Sequence, residues 1–241
     1  MGAAALLVTL ARCALAGPPL LTDDPDTPGP GHWEINVAMT TTKESERWES
    51  ETPLLDVNYG IGERIQLKYE LPWVVVHENG QTANGLGNSL IGVKWRFLDQ
   101  EKAWLEVSTY PQFEFNHPDS SVARGLADFG YSAILPLEFQ HRFGPLVAFA
   151  ETGFIWNQRR SNTWLCGIAA EYEINSRFSL FGELHGGDET HLAQDQPVFN
   201  LGFSWKFNST VSLLGSAGRA LHNSAGDSPN FLSYLALQFH F

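Results

Sequence analysis

From about residue 32 onward, apolar and polar positions alternate with period two, in runs set apart by turn-forming residues. The last run is Phe231–Phe241 (FLSYLALQFHF). Leu235, Leu237, Phe239 and Phe241 point one way; Tyr234, Ala236, Gln238 and His240 point the other. Such runs predict twelve strands, at roughly 32–43, 51–60, 63–75, 86–98, 102–115, 127–141, 145–157, 162–174, 177–187, 197–207, 210–221 and 230–241. In the third, Ile65, Leu67, Tyr69, Leu71 and Trp73 oppose Gln66, Lys68 and Glu70. In the fifth, Leu105, Val107, Thr109 and Phe113 oppose Glu106, Ser108, Tyr110, Gln112 and Glu114. In the tenth, Phe199, Leu201, Phe203, Trp205 and Phe207 oppose Asn200, Ser204 and Lys206. Helical periodicity is nowhere sustained.

Short turns are predicted near Gly60–Glu63, Asp99–Glu101, Arg142–Gly144, Asn175–Ser176 and Asn208–Ser209. Longer polar loops are predicted near Lys43–Ser50, His77–Gly85, Asn116–Leu126, Asn157–Asn162, Gly187–Gln196 and His222–Asn230. An apolar row ending on an aromatic leaves an unprotected edge in water. In a closed barrel that edge is paired and the row meets lipid. The predicted fold class is therefore all-β: a transmembrane antiparallel up-and-down β-barrel of about twelve strands. A soluble sandwich would not carry five large apolar side chains of the tenth strand in one outward row. Three places strain the pattern. Arg219 shares parity with Leu213 around Val211–Leu221, which a bulge would reconcile. Pro111 and Pro136 sit inside strands, where each removes a ladder donor.

Composition sharpens this reading. No run of about 18 apolar residues follows the N-terminus, which excludes ordinary transmembrane helices but not a barrel. Aromatics are abundant, with 16 Phe, 8 Trp and 6 Tyr, and Gly numbers 22. Trp33, Trp73, Trp95, Trp104, Trp156, Trp164 and Trp205 fall near strand ends, as interfacial girdles require. Met1–Ala16 (MGAAALLVTLARCALA) reads as a signal peptide with an Ala14-Leu15-Ala16 cleavage pattern, though without a basic start. Arg12 excludes a lipoprotein site at Cys13. Cleavage after Ala16 removes one Arg and takes the formal charge from -12 to -13. It leaves Cys166 alone, so no intrachain disulfide forms. Residues 17–31 (GPPLLTDDPDTPGPG) are expected as an extended periplasmic segment, and residues 32–241 as the barrel. An even strand number places both termini in the periplasm. So acidic an exported chain is not a nucleic-acid binder.

Several stretches carry a resemblance. They are Leu21–Asn36 (LTDDPDTPGPGHWEIN), Gly60–Trp73 (GIGERIQLKYELPW), Gly85–Phe97 (GLGNSLIGVKWRF), Thr109–Phe115 (TYPQFEF), Leu165–Tyr172 (LCGIAAEY) and Ser216–Ala220 (SAGRA). In order and spacing they resemble the bacterial outer-membrane transporter family named for the meta-pathway of phenol degradation. The resemblance spans nearly the whole mature chain. It implies a bacterial outer-membrane barrel that passes small solutes, aromatic compounds included. It assigns no enzyme activity and no defined site residues. Barrel C-termini of this kind further imply that Leu235, Leu237, Phe239 and Phe241 form the signal read by the barrel-insertion machinery.

The candidate lumen-lining residues are Lys68, Glu70, Lys94, Arg96, Glu106, Tyr110, Gln112, Glu114, Glu138, Glu171, Glu173, Glu183 and Lys206. Glu34, Asp56, Glu151 and His185 share their inward parity. Two readings stay open: an acidic conduit favouring cations or neutral polar solutes, or a filled interior of mutually paired charges. A twelve-strand barrel lies between the filled eight-strand size and the open porin size. Inward aromatics such as Trp104 and Tyr110 offer stacking positions. No cofactor or metal is expected. Asp23-Asp24-Pro25-Asp26 lacks calcium-loop spacing and reads as a solvated tail, and His185 with His191 is a weak metal signal. An enzyme reading rests on His222-Asn223-Ser224-Ala225-Gly226, the His-x-Ser-x-Gly look of an outer-membrane phospholipase. Leu235, Ala236 and Leu237 stand where that reading needs an Asn to orient the His. The expected partners are thus outer-membrane lipids, the insertion machinery and small-molecule solutes. The alternatives are a structural or binding barrel with a plugged lumen, and a lipid-modifying hydrolase.

Overall fold

The computed structural model describes residues 18–44, 46–116, 119–189, 197–221 and 229–241. Fourteen strand segments follow one another: β1 (Trp33–Lys43), β2 (Arg47–Ile61), β3 (Ile65–Glu78), β4 (Gln81–Leu86), β5 (Asn88–Leu98), β6 (Glu106–Thr109), β7 (Gln112–Asn116), β8 (Ser132–Phe143), β9 (Leu146–Asn157), β10 (Thr163–Asn175), β11 (Phe178–Glu189), β12 (Val198–Lys206), β13 (Val211–Ala220) and β14 (Phe231–His240). One short helix, α1 (Asp119–Ala123), lies between β7 and β8. All pairings are antiparallel. β4 and β5 both pair with β3 and are one strand broken at Gly87. β6 and β7 both pair with β5 and β8 and are one strand broken at Tyr110-Pro111. The fourteen segments of the sheet therefore make twelve strands.

The ring closes where β1 meets β14, from Glu34 opposite His240 to Lys43 opposite Phe231. Trp33 and Phe241 exchange both backbone hydrogen bonds at 3.0 Å and finish the seam. Each of the twelve strands thus has two neighbours and the ring is closed; only the β4 segment, at the end of its strand, pairs on one side alone. The outer wall carries the apolar parity: Val37, Leu67, Ile91, Leu137, Ile168, Leu201 and Leu237 are all exposed. The girdle tryptophans share that surface, and Trp33 packs on Tyr59 and Trp205 on Phe207. Along the same strands the alternate residues are buried and mostly polar, so the core of this molecule is inside out relative to a soluble protein.

The structure corrects several strand limits. Asn79 and Gly80, with φ of 51° and 74°, make a two-residue hairpin turn where a longer loop was expected. β2 and β3 consequently run to 15 and 14 residues, longer than the about 9–11 that cross a bilayer. The β5–β6 connection occupies 99–105, longer than the predicted turn. β13 needs no bulge: its register with β12 is continuous, with Leu213 outward, Leu214 inward and Arg219 exposed at the strand's end. Pro136 is accommodated inside β8 because Gly153 stands opposite it and offers no side chain. Pro111 ends its ladder, and its carbonyl instead accepts from Val93 N at 3.0 Å.

Candidate functional site

The site is the barrel interior together with the chain segment inside it. Residues 18–31 do not extend away from the barrel as a solvated tail; they enter it beside the short turns and cross the lumen. Gly31 N donates to Gly60 O at 2.9 Å and Thr27 Oγ1 to Glu63 O at 3.1 Å, fixing the entrance. Asp26 faces Arg96 at 3.3 Å. Asp23 pairs with Lys94 at 2.9 Å, and Lys94 Nζ also donates to the Asp24 carbonyl. Asp23 N donates to Glu151 at 3.0 Å. Both carboxylate oxygens of Glu183 take the amide of Leu21, at 2.9 and 3.1 Å, and one takes that of Thr22, at 2.8 Å. Leu20 packs against Val147, Phe149 and Ala169, and Pro19 O accepts from Ser216 Oγ at 2.5 Å.

The wall is shaped for this segment. Gly60 on β2 and Gly167 on β10 would each carry a Cβ into it, against Gly29 and Thr22 respectively; at Gly202 on β12 a Cβ would meet Gly215 O and Ser216 first and also approach Pro19, at 3.2 Å. Inward glycines at those three places are the sequence signal that could have revealed the segment. The second signal is the acidic run Asp23-Asp24-Pro25-Asp26, complementary to the inward cations Lys94 and Arg96.

The predicted lumen residues fall into four groups. Around the segment, Lys94 is 0% exposed and held between Asp23 and Glu138, the latter at 3.3 Å. Its ammonium stands 4.7 Å from the Tyr110 ring centroid, and Glu138 accepts from Ser108 Oγ at 2.5 Å. Arg96 also approaches Asp99 at 3.3 Å and Glu106 at 3.9 Å, while Gln140 Nε2 donates to Glu106 at 3.3 Å. Beside this lies a polar wall. Asp56 accepts from Asn36 and Asn58 at 3.1 and 3.0 Å, and Lys68 bridges Asp56 and Glu70 at 3.4 and 3.0 Å. Gln66 ties this wall to the Tyr110 hydroxyl at 3.0 Å. Charges desolvated this deeply are tolerated because nearly every one has a counter-ion or several hydrogen bonds.

Towards the other end the lumen opens. A cavity of about 460 Å³ lies there, lined by Arg47, Glu49, Glu51, Glu70, Asn88, Glu114 and Asp128 with Val74, Leu90 and Leu126. Glu114 accepts from Asn88 and from Ser132 Oγ, the latter at 3.1 Å. Gln112 is half-buried beside Gly92. The remaining predicted residues stand apart from the other three groups. Glu173 pairs with Arg142 at 2.8 Å, and Glu171 and Lys206 are half-buried near the short turns.

Other expectations fare differently. Trp104, expected inward, is 70% exposed in the β5–β6 connection and stacks on His141 at 4.8 Å. Tyr110 does face inward but is 1% exposed under Lys94, so it offers no open stacking face. An inward apolar cluster of Ala38, Leu54, Leu214 and Ala236 was not foreseen. Leu235, Leu237 and Phe241 are exposed on the outer wall, with the Phe239 and Phe241 rings stacked. His191 and the His222–Gly226 motif lie outside the described residues. Among those described, no three His, Cys, Asp or Glu side chains gather as metal ligands, and no helix is long and apolar enough to cross a membrane.

A closed twelve-strand sheet, apolar outside and charged inside, defines a transmembrane β-barrel of the outer-membrane class. Within that class the chain belongs to the family described as "Putative MetA-pathway of phenol degradation", which matches residues 17–239. No curated protein matches the sequence. Its fold is shared with the COG4313 outer membrane channel from Pseudomonas putida F1, at TM-score 0.72 and 14% identity over 90% of this chain and 98% of that one. The NanC porin aligns at TM-score 0.60 and 11% identity over 85% and 98% of the two chains. The KdgM porin aligns at 0.59 and 10% over 86% and 99%.

Proposed function

We propose that this chain is an outer-membrane channel for passive passage of small solutes, aromatic compounds included, whose described state is closed by its own N-terminal segment. The observation that carries the reading is a continuous polar interior that opens as a 460 Å³ vestibule and ends on a segment held only by non-covalent contacts. The family's link to phenol degradation, and the names of the similar channel and porins, support it. Residues 1–16 serve as the signal peptide, and both termini lie on the periplasmic side, where the short turns are. The segment 18–31 then enters the lumen from the periplasmic side. Leu235, Leu237, Phe239 and Phe241 present the insertion signal to the assembly machinery. The lumen-lining set works by fixed charge, with no covalent chemistry: a reactive centre needs an assembled nucleophile, base and oxyanion donors, and Ser224 lacks an orienting Asn one strand downstream.

The inserted segment also favours a second reading, a binding barrel with a permanently filled lumen. Planar-bilayer recording of the purified protein separates the two. Discrete conductance steps that grow when the segment is loosened support the channel. Silence in both the native protein and Gly167→Val overturns it.

A further inference from the structure

Resting on the channel reading, we infer that Glu183, Glu151 and Asn200, with the apolar surface of Val147, Phe149 and Ala169, form a subsite for a small arylalkyl ammonium ion. The N-terminal segment occupies this subsite in the closed state as a built-in mimic of the solute.

The two carboxylates that meet the segment here act as acceptors, while Ser216 Oγ donates to Pro19 O next to them. Glu183 receives the amides of Leu21 and Thr22 between 2.8 and 3.1 Å, and Glu151 receives that of Asp23 at 3.0 Å. Neither carboxylate forms an ion pair with a Lys or Arg among the described residues. Asn200 is 1% exposed; its amide nitrogen donates to Glu183 at 3.0 Å, and its Oδ1 has no hydrogen-bond partner. An unsatisfied acceptor on the side chain that bonds Glu183, together with two buried carboxylates that lack a Lys or Arg partner, favours a donor-rich cation. Three N–H bonds from an ammonium match what three backbone amides now supply, and the positive charge adds what the amides lack.

The apolar half is equally specific. Glu151 follows Val147 and Phe149 on the same inward face of β9, and Ala169 faces them from β10. Leu20 covers these three residues directly beside the bound amides. The segment thus presents a hydrophobic group one residue from a run of N–H donors, as an arylalkyl amine does. An anion is disfavoured: once Asp23 leaves, Lys94 still has Glu138 at 3.3 Å, and Arg96 still has Asp99 and Glu106.

The inference is tested by thiol labelling of the full chain in detergent. Thr22, which is 0% exposed, becomes the reporter as Thr22→Cys in a chain carrying Cys13→Ser and Cys166→Ser; Asp24→Cys serves as a second reporter. Maleimide reaches either thiol only when the segment leaves its seat. Benzylammonium chloride should raise the labelling rate several-fold, while sodium benzoate and sodium chloride at equal ionic strength should not. Glu183→Gln and Glu151→Gln should raise the basal rate and abolish the further response. Phe149→Ala keeps the charges and should weaken the benzylammonium response more than the methylammonium response. Acceleration by benzoate equal to that by benzylammonium, or no response to benzylammonium in either reporter, overturns the subsite. Conductance recorded on the same protein without amine decides the channel reading separately.

Discussion

Lys94 shows how much one side chain carries here. It is fully enclosed, and it neutralises Asp23 from the segment and Glu138 from the wall at once. Lys94→Met would leave two desolvated carboxylates facing each other, and breaking a buried pair in this way costs about 3–5 kcal/mol. We expect the urea midpoint of the folded barrel to fall accordingly. Lys68→Met should cost less, because Asp56 keeps the hydrogen bonds of Asn36 and Asn58. Gly167 is the opposite case, a residue that matters by having no side chain. A valine there occupies the place of Thr22. Gly167→Val should therefore expel the segment and raise conductance without unfolding the wall. An unchanged conductance would mean that the segment does not close the pore.

The strand β12 shows the logic of an element. Its odd positions face lipid and its even positions face the lumen, so neighbours in sequence live in opposite solvents. Leu201→Arg places a charge on the lipid face and should cost about 2–4 kcal/mol if it sits near the bilayer midplane. Equilibrium unfolding from lipid vesicles measures this directly. The pattern alone predicts that arginine at Asn200 is harmless, since that side chain points into the lumen. The structure revises this: Asn200 is packed between Glu183 and Ser216. Asn200→Arg should keep the barrel intact but push the segment out, read as higher conductance with an unchanged unfolding midpoint. Elsewhere the even rhythm of β-strands yields to local chemistry. The missing amide of Pro111 splits one strand in two, and another is broken at Gly87, where a side chain would run into Val74.

At the scale of the whole molecule, closure and charge distribution decide behaviour. The first and last strands hold each other, so the terminal aromatic lies at the seam of the ring, where Phe241 exchanges both backbone hydrogen bonds with Trp33. Deleting Phe241 removes those bonds and the last member of the proposed insertion signal. Outer-membrane levels should drop, with unassembled chains degraded in the periplasm; undiminished levels in fractionated cells would count against this. The open vestibule is lined by more carboxylates than cations. Glu114→Gln should lower cation preference in reversal-potential measurements and leave stability nearly unchanged, because Glu114 borders open space. Glu106→Gln acts deeper, on the Arg96 cluster, and should show more in stability than in selectivity.

The alternation from Trp33 to Phe241 by itself determined the strand number, the direction of each face and the membrane as solvent. Side-chain period in a strand is fixed by backbone geometry, and lipid outside demands apolar residues at every second position. The lumen-facing parity of Lys94, Glu138, Glu183 and Asn200 was legible for the same reason. Only the tertiary structure decided which of these residues touch, and with what. A segment such as Leu20–Asp26 has no periodicity to reveal its place; its own composition reads as a solvated tail. Its seat is formed by side chains from β5, β9, β11 and β13, which closure of the ring alone brings together. Contacts between residues up to 197 positions apart depend on barrel diameter and register, which no local pattern encodes.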